Sequence, residues 1–292
     1  NYLFGELGKK FEERFSTFSN SKYSLAVANG TLALDLSLRA LNLQPGDEVL
    51  VTSRSYIATA SSIALLGGVP IWCDVDLNSQ NICLEEITKK SSKKTKGIIC
   101  VHFAGFPCDM KSIMAYAKLK NLFVIEDCAQ AHGASVNGRS VGSFGDISTW
   151  SFCQDKIIST GGEGGMISTN SKKLWLKCWS LKDHGKNFKS VFYKKQKTIF
   201  KWLHEDFGSN YRMTEMQAVI GREQLKSLDK QIKRRNLIVN LYLNELKDYY
   251  LKYDIFKKLF SWYMYASSLM FVLLIIQILK DKSKVLKVSV NI

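Results

Sequence analysis

Ser151-Phe-Cys-Gln-Asp-Lys156-Ile-Ile-Ser-Thr-Gly-Gly-Glu163-Gly-Gly165 is the stretch on which the reading of this chain turns. The apolar run Ile147–Phe152 leads into it, and five residues after Ser151 a lysine precedes a glycine-rich turn. Glycines there let the backbone fold tightly around something held at the ends of strands. A lysine in such a place can act as an amine nucleophile. Its pKa falls when it is desolvated or faces another cation, and the free amine then condenses with an aldehyde; pyridoxal phosphate is the aldehyde cofactor that needs such a residue. On this pattern alone a solvated surface lysine is the more ordinary reading.

From about Tyr23 to Met166 short apolar runs alternate with amphipathic stretches, as in a parallel sheet with crossover helices. The predicted strands are Ser24–Ala28, Glu48–Thr52, Pro70–Asp74, Gly97–Phe103, Leu122–Glu126, Ile147–Phe152 and Gly165–Ser168. Predicted helices are Thr31–Leu41, Ile57–Leu66 and Asp109–Leu119, with a long one from Met213 to about Leu246. Leu32, Leu34, Leu36, Leu38 and Leu41 are too many for a single stripe, so the first of these helices is expected to be buried on more than one side.

Three further features follow strands. In Glu126-Asp127-Cys128-Ala129-Gln130-Ala131-His132 a carboxylate ends a buried run, where it needs a partner; a protonated pyridine nitrogen would be one, and a helix cap or metal ligand are the alternatives. No second ligand has suitable spacing, so no metal is expected. Asn29-Gly30-Thr31 opens a helix whose free N–H groups suit a phosphate, although Thr31 alone reads more readily as a plain N-terminal cap. Tyr56 can stack on an aromatic ring or simply pack. The order of phosphate turn, aromatic, acid and lysine strengthens each member.

Composition constrains the rest. The 292 residues are 46% hydrophobic and 23% charged, which excludes disorder as the main state. Seven cysteines, none in a Cys-x-x-Cys pair, speak against a disulfide scaffold or structural zinc, and with no leader-like segment a cytoplasmic protein is expected. The net charge of +15 lies wholly in residues 171–292, which hold 25 Lys and Arg against 10 Asp and Glu. Most of that excess is scattered lysine, which reads as a solvated surface and not as a nucleic-acid site.

Together these motifs resemble the DegT/DnrJ/EryC1/StrS family of sugar aminotransferases dependent on pyridoxal 5′-phosphate (PLP), of the aspartate aminotransferase-like fold type I. The resemblance runs from about Phe11 to about Arg235 and includes Val27–Leu34, Pro45–Val49, Tyr56–Thr59, Val101–Gly105, Glu126–His132, Ser151–Gly165 and Gly208–Gln217. It implies an α/β large domain with a mostly parallel seven-stranded sheet. It also implies that Lys156 forms the Schiff base and shuttles the proton, and that Asp127 keeps the pyridine nitrogen protonated. Gln130 would lie near the ring's 3′ oxygen, Tyr56 would stack on the ring, and Gly30, Thr31 and Ser151 would bind the phosphate. Asn210 matches a position that reaches the phosphate of a neighbouring subunit, so a homodimer is implied. Family members with histidine in place of the lysine are dehydratases, which Lys156 speaks against.

The implied reaction moves an amine from glutamate to a keto group of a nucleotide-linked sugar, for cell-surface polysaccharide or amino-sugar biosynthesis. The basic second part of the chain would favour approach of the sugar's diphosphate. His184, in Lys182-Asp-His-Gly-Lys186, resembles an Arg-x-His-Gly segment and reads equally as structural or as a substrate contact; His102 and His204 carry no assignment.

The C-terminal part departs from the family. Residues 1–235 read as the cofactor-binding large domain and 236–292 as a truncated or aberrant small domain, in which only Phe260–Tyr265 resembles the expected opening strand. The run Leu259–Leu279 carries no charge over 21 residues, long enough to span a bilayer. A C-terminus replaced by truncation or a shifted reading frame is the preferred reading, ahead of a divergent element of a shortened small domain and, last, a membrane anchor, so no membrane partner is expected. A non-catalytic PLP- or sugar-binding remnant is therefore the alternative function.

Overall fold

The computed structural model describes residues 5–192 and 203–245. The run 259–279, and with it the question of a membrane anchor, lies outside them; among the described residues no helix is long and apolar enough to cross a membrane. The chain begins with α1 (Glu6–Phe18), β1 (Tyr23–Val27), α2 (Gly30–Ala40), β2 (Glu48–Thr52), α3 (Ala58–Leu65) and β3 (Val69–Cys73). It continues with α4 (Leu84–Lys90), β4 (Thr95–Val101), α5 (Met110–Lys120), β5 (Phe123–Asp127) and a small hairpin of β6 (Ser135–Val136) and β7 (Arg139–Ser140). Then come β8 (Ile147–Ser151), β9 (Gly165–Thr169), α6 (Lys172–Lys182), α7 (Phe188–Phe192) and the long α8 (Glu215–Glu245).

Seven strands form one sheet in the order β1-β9-β8-β5-β4-β2-β3. The five strands from β3 to β8 pair in parallel, while β9 is antiparallel to both β8 and β1. Each of the seven predicted strands is present within two residues at either end, and the expected α/β class with a mostly parallel sheet is correct. These strands are legible because most are apolar and buried on both faces, as a sheet covered by helices on both sides requires. Helix α2 is buried on two sides as expected: Leu34 and Leu38 join a core with α3, while Ala33 and Leu36 join another with α6.

Alternation along β8 places the site. Trp150 and Phe152 point into a core with Phe11 and Phe15 of α1 and Leu228 of α8. Phe15 lies edge-on to Trp150 at 5.2 Å and to Phe152 at 5.5 Å between ring centroids. Ser151, between them, faces the start of α2, where a Cβ on Gly30 would come within 2.8 Å of the Ser151 Cβ. Gly165 is needed for the same reason, since a side chain there would run into the Asn29 carbonyl.

Strand β5 ends in two buried acids with different partners. Glu126 accepts the backbone N–H groups of Gly142, Phe144 and Gly145 at 2.8, 2.7 and 2.6 Å. It also meets the buried His102 at 3.0 Å. Because His102 Nδ1 accepts the Cys108 N–H, the proton on this imidazole sits on Nε2 and is donated to Glu126. Burial alone would push Glu126 up, but the bonds from His102, Gly145 and Gly142 hold it below the usual carboxylate range. One carboxylate thus ties the end of β4, the end of β5 and the turn leading into β8.

Glu126→Gln leaves donors facing donors in this knot and is expected to cost about 3 kcal/mol or more in urea unfolding at pH 7. The depressed pKa makes the Glu126 contribution complete above the unfolded-state value of about 4.3, and lost as pH falls through the lower folded-state value. Stability of E126Q should therefore decline less steeply than wild type on acidification below about pH 5; parallel curves would contradict the assignment.

Candidate active site

Asp127 stands at the C-terminal end of β5, and Lys156 lies in the loop that joins the adjacent β8 to β9. That loop is drawn tight by Phe152 N–H to Gly164 O, Thr160 N–H to Phe152 O and Gln154 N–H to Gly162 O, at 2.8 to 3.2 Å. Gly161 and Gly162 take φ of +87° and +116°, a conformation that favours glycine. Lys156 is largely buried, with Nζ 3.0 Å from the exposed Asp155 carboxylate. Its charge is felt by both Asp127 and His132. The acid and the amine therefore share one edge of the sheet.

Asp127 is 6% exposed. Its Oδ1 accepts the Ala129 N–H at 3.1 Å and its Oδ2 the Thr59 hydroxyl at 3.0 Å. Since Thr59 gives its proton to Asp127, the Ser55 hydroxyl 2.7 Å away donates in turn to Thr59. Burial raises the Asp127 pKa, opposed by these bonds and by Lys156. A buried carboxylate with unused lone pairs is suited to a cationic partner. Thr59 and Ser55 were not identified from the sequence as part of this chain of hydroxyls; the separation of 68 residues between Thr59 and Asp127 hides it.

The predicted phosphate residues converge at the start of α2. Asn29 is the helix cap, its Oδ1 accepting the Leu32 N–H at 2.9 Å. The capping role considered for Thr31 thus belongs to Asn29, and Thr31 stands at the second helical position, exposed. The first N–H groups of a helix lack partners within it and face the positive end of its dipole. With Ser151 against Gly30, the place has hydroxyls, N–H groups and no room for a side chain at position 30. Gln130 Oε1 accepts the Ala104 N–H at 2.7 Å, which leaves its amide N–H groups to donate elsewhere. Tyr56 is 73% exposed, one helical turn before Thr59.

Asn210 belongs to a strap stitched to the body by Ser209 N–H to Leu181 O, Tyr211 N–H to Lys182 O and Ala28 N–H to Tyr211 O. Arg212 spans the buried Asp183 at 2.7 Å and Asn210 Oδ1 at 2.9 Å. Arginine only donates, so the atom facing it is the Asn210 oxygen, and the amide N–H groups are not used by Arg212. His184 lies on the facing segment with φ of +58°; its N–H bonds Ser209 O and its carbonyl meets His204 Nδ1 at 2.7 Å. Both backbone groups of His184 thus serve the strap.

His102, Glu126 and Cys128 come close enough to suggest a metal. Both ring nitrogens of His102 and both oxygens of Glu126 are already hydrogen-bonded, and burial pushes the Cys128 thiol up to about 12. This cluster is a structural knot. The acid, amine, hydroxyls and helix start, by contrast, match the chemical groups of PLP: a basic ring nitrogen, an aldehyde and a phosphate. The residues present fit that cofactor.

A model of the DegT/DnrJ/EryC1/StrS aminotransferase family matches residues 1–285, beyond the Arg235 limit drawn from motifs. The chain is 42% identical over 238 residues to a GDP-perosamine synthase of Escherichia coli O157:H7, covering 82% of this chain and 62% of that protein. It is 40% identical over 247 residues to a dTDP-3-amino-3,6-dideoxy-alpha-D-galactopyranose transaminase of Aneurinibacillus thermoaerophilus, covering 85% and 65%. The X-ray structure of an aminotransferase from Psychrobacter cryohalolentis superimposes with a TM-score of 0.83 at 51% identity, covering 85% of this chain and 63% of that one. The chain thus spans less than two thirds of the length of these relatives.

Because burial raises the Asp127 pKa, the stability it contributes is full below the ordinary carboxylate value and is lost as pH rises through the higher folded-state value, and removing the charge restores it. Asp127→Asn is expected to raise the melting temperature of the cofactor-free protein at pH 7 by about 2–4 °C, the effect of about 1 kcal/mol in a chain of this size. The same change should weaken PLP uptake. Differential scanning calorimetry and absorbance titration check the two effects.

Proposed function

The chain belongs to the DegT/DnrJ/EryC1/StrS aminotransferase family, and on that premise we propose that it binds PLP and moves an amino group from glutamate to a keto group of a nucleotide-linked sugar. The observation that carries the reading is the placement of Asp127 and Lys156 at one edge of the sheet, with the start of α2 beside them. When bound, PLP supplies an aldehyde for the amine and a protonated ring that takes up the electron pair released at the reacting carbon. Lys156 would hold the aldehyde through Nζ and move the proton at the reacting carbon. Asp127 would hold the proton on the ring nitrogen, with Thr59 orienting its carboxylate. Gln130 would donate to the 3′ oxygen, Tyr56 would cover the ring, and Gly30, Thr31 and Ser151 would hold the phosphate.

A nucleotide sugar as acceptor is supported by the relatives named for GDP-perosamine and a dTDP-linked amino sugar. The basic half of the chain would draw in its diphosphate. For a homodimer, with Asn210 reaching the cofactor phosphate of a second copy, the support is the Asn210 amide that Arg212 leaves unused and the apolar side chains left bare nearby. Phe207 is 98% and Met216 64% exposed. Seven unpaired cysteines suit a reducing, cytoplasmic setting. We read 1–235 as the large domain and 236–292 as a small domain; the family match through residue 285 supports a divergent family element there over an unrelated tail.

Purified protein given PLP should develop a visible absorbance band that Lys156→Ala abolishes. Glutamate should then drive turnover of one member of a panel of nucleotide-linked 3-keto and 4-keto sugars. A band without turnover on any of them would favour the non-catalytic alternative. No band at all would overturn the proposal.

A further inference from the structure

The segment that carries Asn210 runs on into Thr214-Glu-Met-Gln217, whose polar side chains take no part in the roles above. Thr214 and Gln217 close the start of α8 reciprocally. The Thr214 hydroxyl accepts the Gln217 N–H at 3.3 Å, and Gln217 Oε1 accepts the Thr214 N–H at 2.9 Å. The Thr214 hydroxyl donates to the same Oε1 at 2.8 Å. Both lone pairs of that oxygen are thereby used, which fixes how the amide is turned. Its Nε2 donates to the carbonyl of Glu163 at 2.9 Å, across 54 residues of sequence. Glutamate and glutamine both serve at such a helix start, but only the amide of glutamine has protons for this further bond.

The carbonyl it meets belongs to the glycine-rich turn. Thr160, fully buried, donates its hydroxyl to the same oxygen at 2.6 Å. Glu163 O is thus gripped by one donor from its own loop and one from α8. The two elements also touch closely: a side chain on Gly161 would come within 3.0 Å of Ile220 Cδ1, and one on Gly221 within 2.8 Å of Thr160 Cγ2. The helix start is anchored in turn, because Glu215 accepts the N–H groups of Gly5, Leu7 and Gly8 at 3.0 to 3.1 Å. A segment with glycines at 161, 162, 164 and 165 gains little stiffness from its own side chains, so a donor on a fixed helix is what holds it still.

We propose that Gln217 is a positioning residue for Lys156: its amide holds the Glu163 carbonyl and, through that turn, keeps the loop in the shape that presents the amine near Asp127. The inference rests on the function proposed above and deepens it. Gln217 acts through the main chain, where Gln154 N–H to Gly162 O and Thr160 N–H to Phe152 O close the loop around Lys156.

The test uses the full chain. In the cofactor-free protein, hydrogen–deuterium exchange is followed in the peptide spanning residues 152–165, together with the melting temperature; PLP affinity is then read from the visible band. Gln217→Glu keeps the reciprocal helix start but loses the donor, and Gln217→Ala loses both without adding charge. Both are expected to speed exchange in that peptide and to weaken PLP binding about threefold to tenfold, the effect of one hydrogen bond. Ile113→Ala, in the core under α5, is the control. It should lower the melting temperature at least as far and leave loop exchange and PLP affinity as in wild type. Gln217→Glu that matches wild type in either readout would overturn the proposal, as would an effect confined to the charged variant. Equal changes in Ile113→Ala would overturn it too, by tracing the effect to global stability. Wild type that takes up no PLP would instead defeat the parent reading, and the exchange comparison would still decide whether Gln217 holds the loop.

Discussion

The carboxylate of Glu126 is the constraint from which the rest of the site follows. A charge buried at a strand end is tolerated only when its lone pairs are filled, and here three backbone N–H groups and one imidazole fill them. Those four partners come from the end of β4 and from the turn before β8, so the strands that flank β5 are fixed to it at the level of the next residue. That next residue is Asp127. Its carboxylate is thereby held in a rigid frame while its own hydrogen bonds come from α3 and the following turn. Two neighbouring acids divide the labour: one is saturated and structural, the other keeps capacity for a cation.

The glycines complete the frame by letting backbones approach. Gly30, Gly165 and Ser151 meet where β1 passes into α2 and β8 turns towards β9. A side chain at either glycine would separate the helix start from the loop that carries Lys156. The start of α2, the amine and the acid are consequently parts of one rigid corner of the sheet. Such preorganisation is what a site needs when its cofactor does the chemistry and the protein supplies position and electrostatics.

Much of this was legible in the sequence because the relevant signals are local. Apolar runs such as Val49–Val51 and Ile98–Val101 announce buried strands, and the residues after them announce the site. The hairpin of β6 and β7 was also within reach, since Asn137 and Gly138 both take positive φ, as a two-residue hairpin turn of that type demands. Helix α1 escaped notice because its buried face among the core residues is only Phe11 and Phe15, one turn apart in a charged segment. Helix α6 was obscured by lysines, one of which, Lys182, is buried against Glu12 at 3.7 Å. What no local pattern could give is the set of long-range polar links. His102 to Glu126, Thr59 to Asp127 and Arg212 to Asp183 join segments whose proximity exists only after the sheet is assembled. That His132 has no hydrogen-bond partner among the described residues is likewise visible only in the assembled fold.

The central claim is that Lys156 and Asp127 serve one bound ring. Borohydride reduction of the protein incubated with PLP, followed by peptide mass mapping, tests it most directly, since reduction fixes the cofactor to whichever amine carries it. The account predicts a single pyridoxyl adduct on the peptide containing Lys156, with its yield at limiting PLP cut sharply by Asp127→Ala. An adduct on another lysine, or one at Lys156 that is indifferent to Asp127, would contradict it.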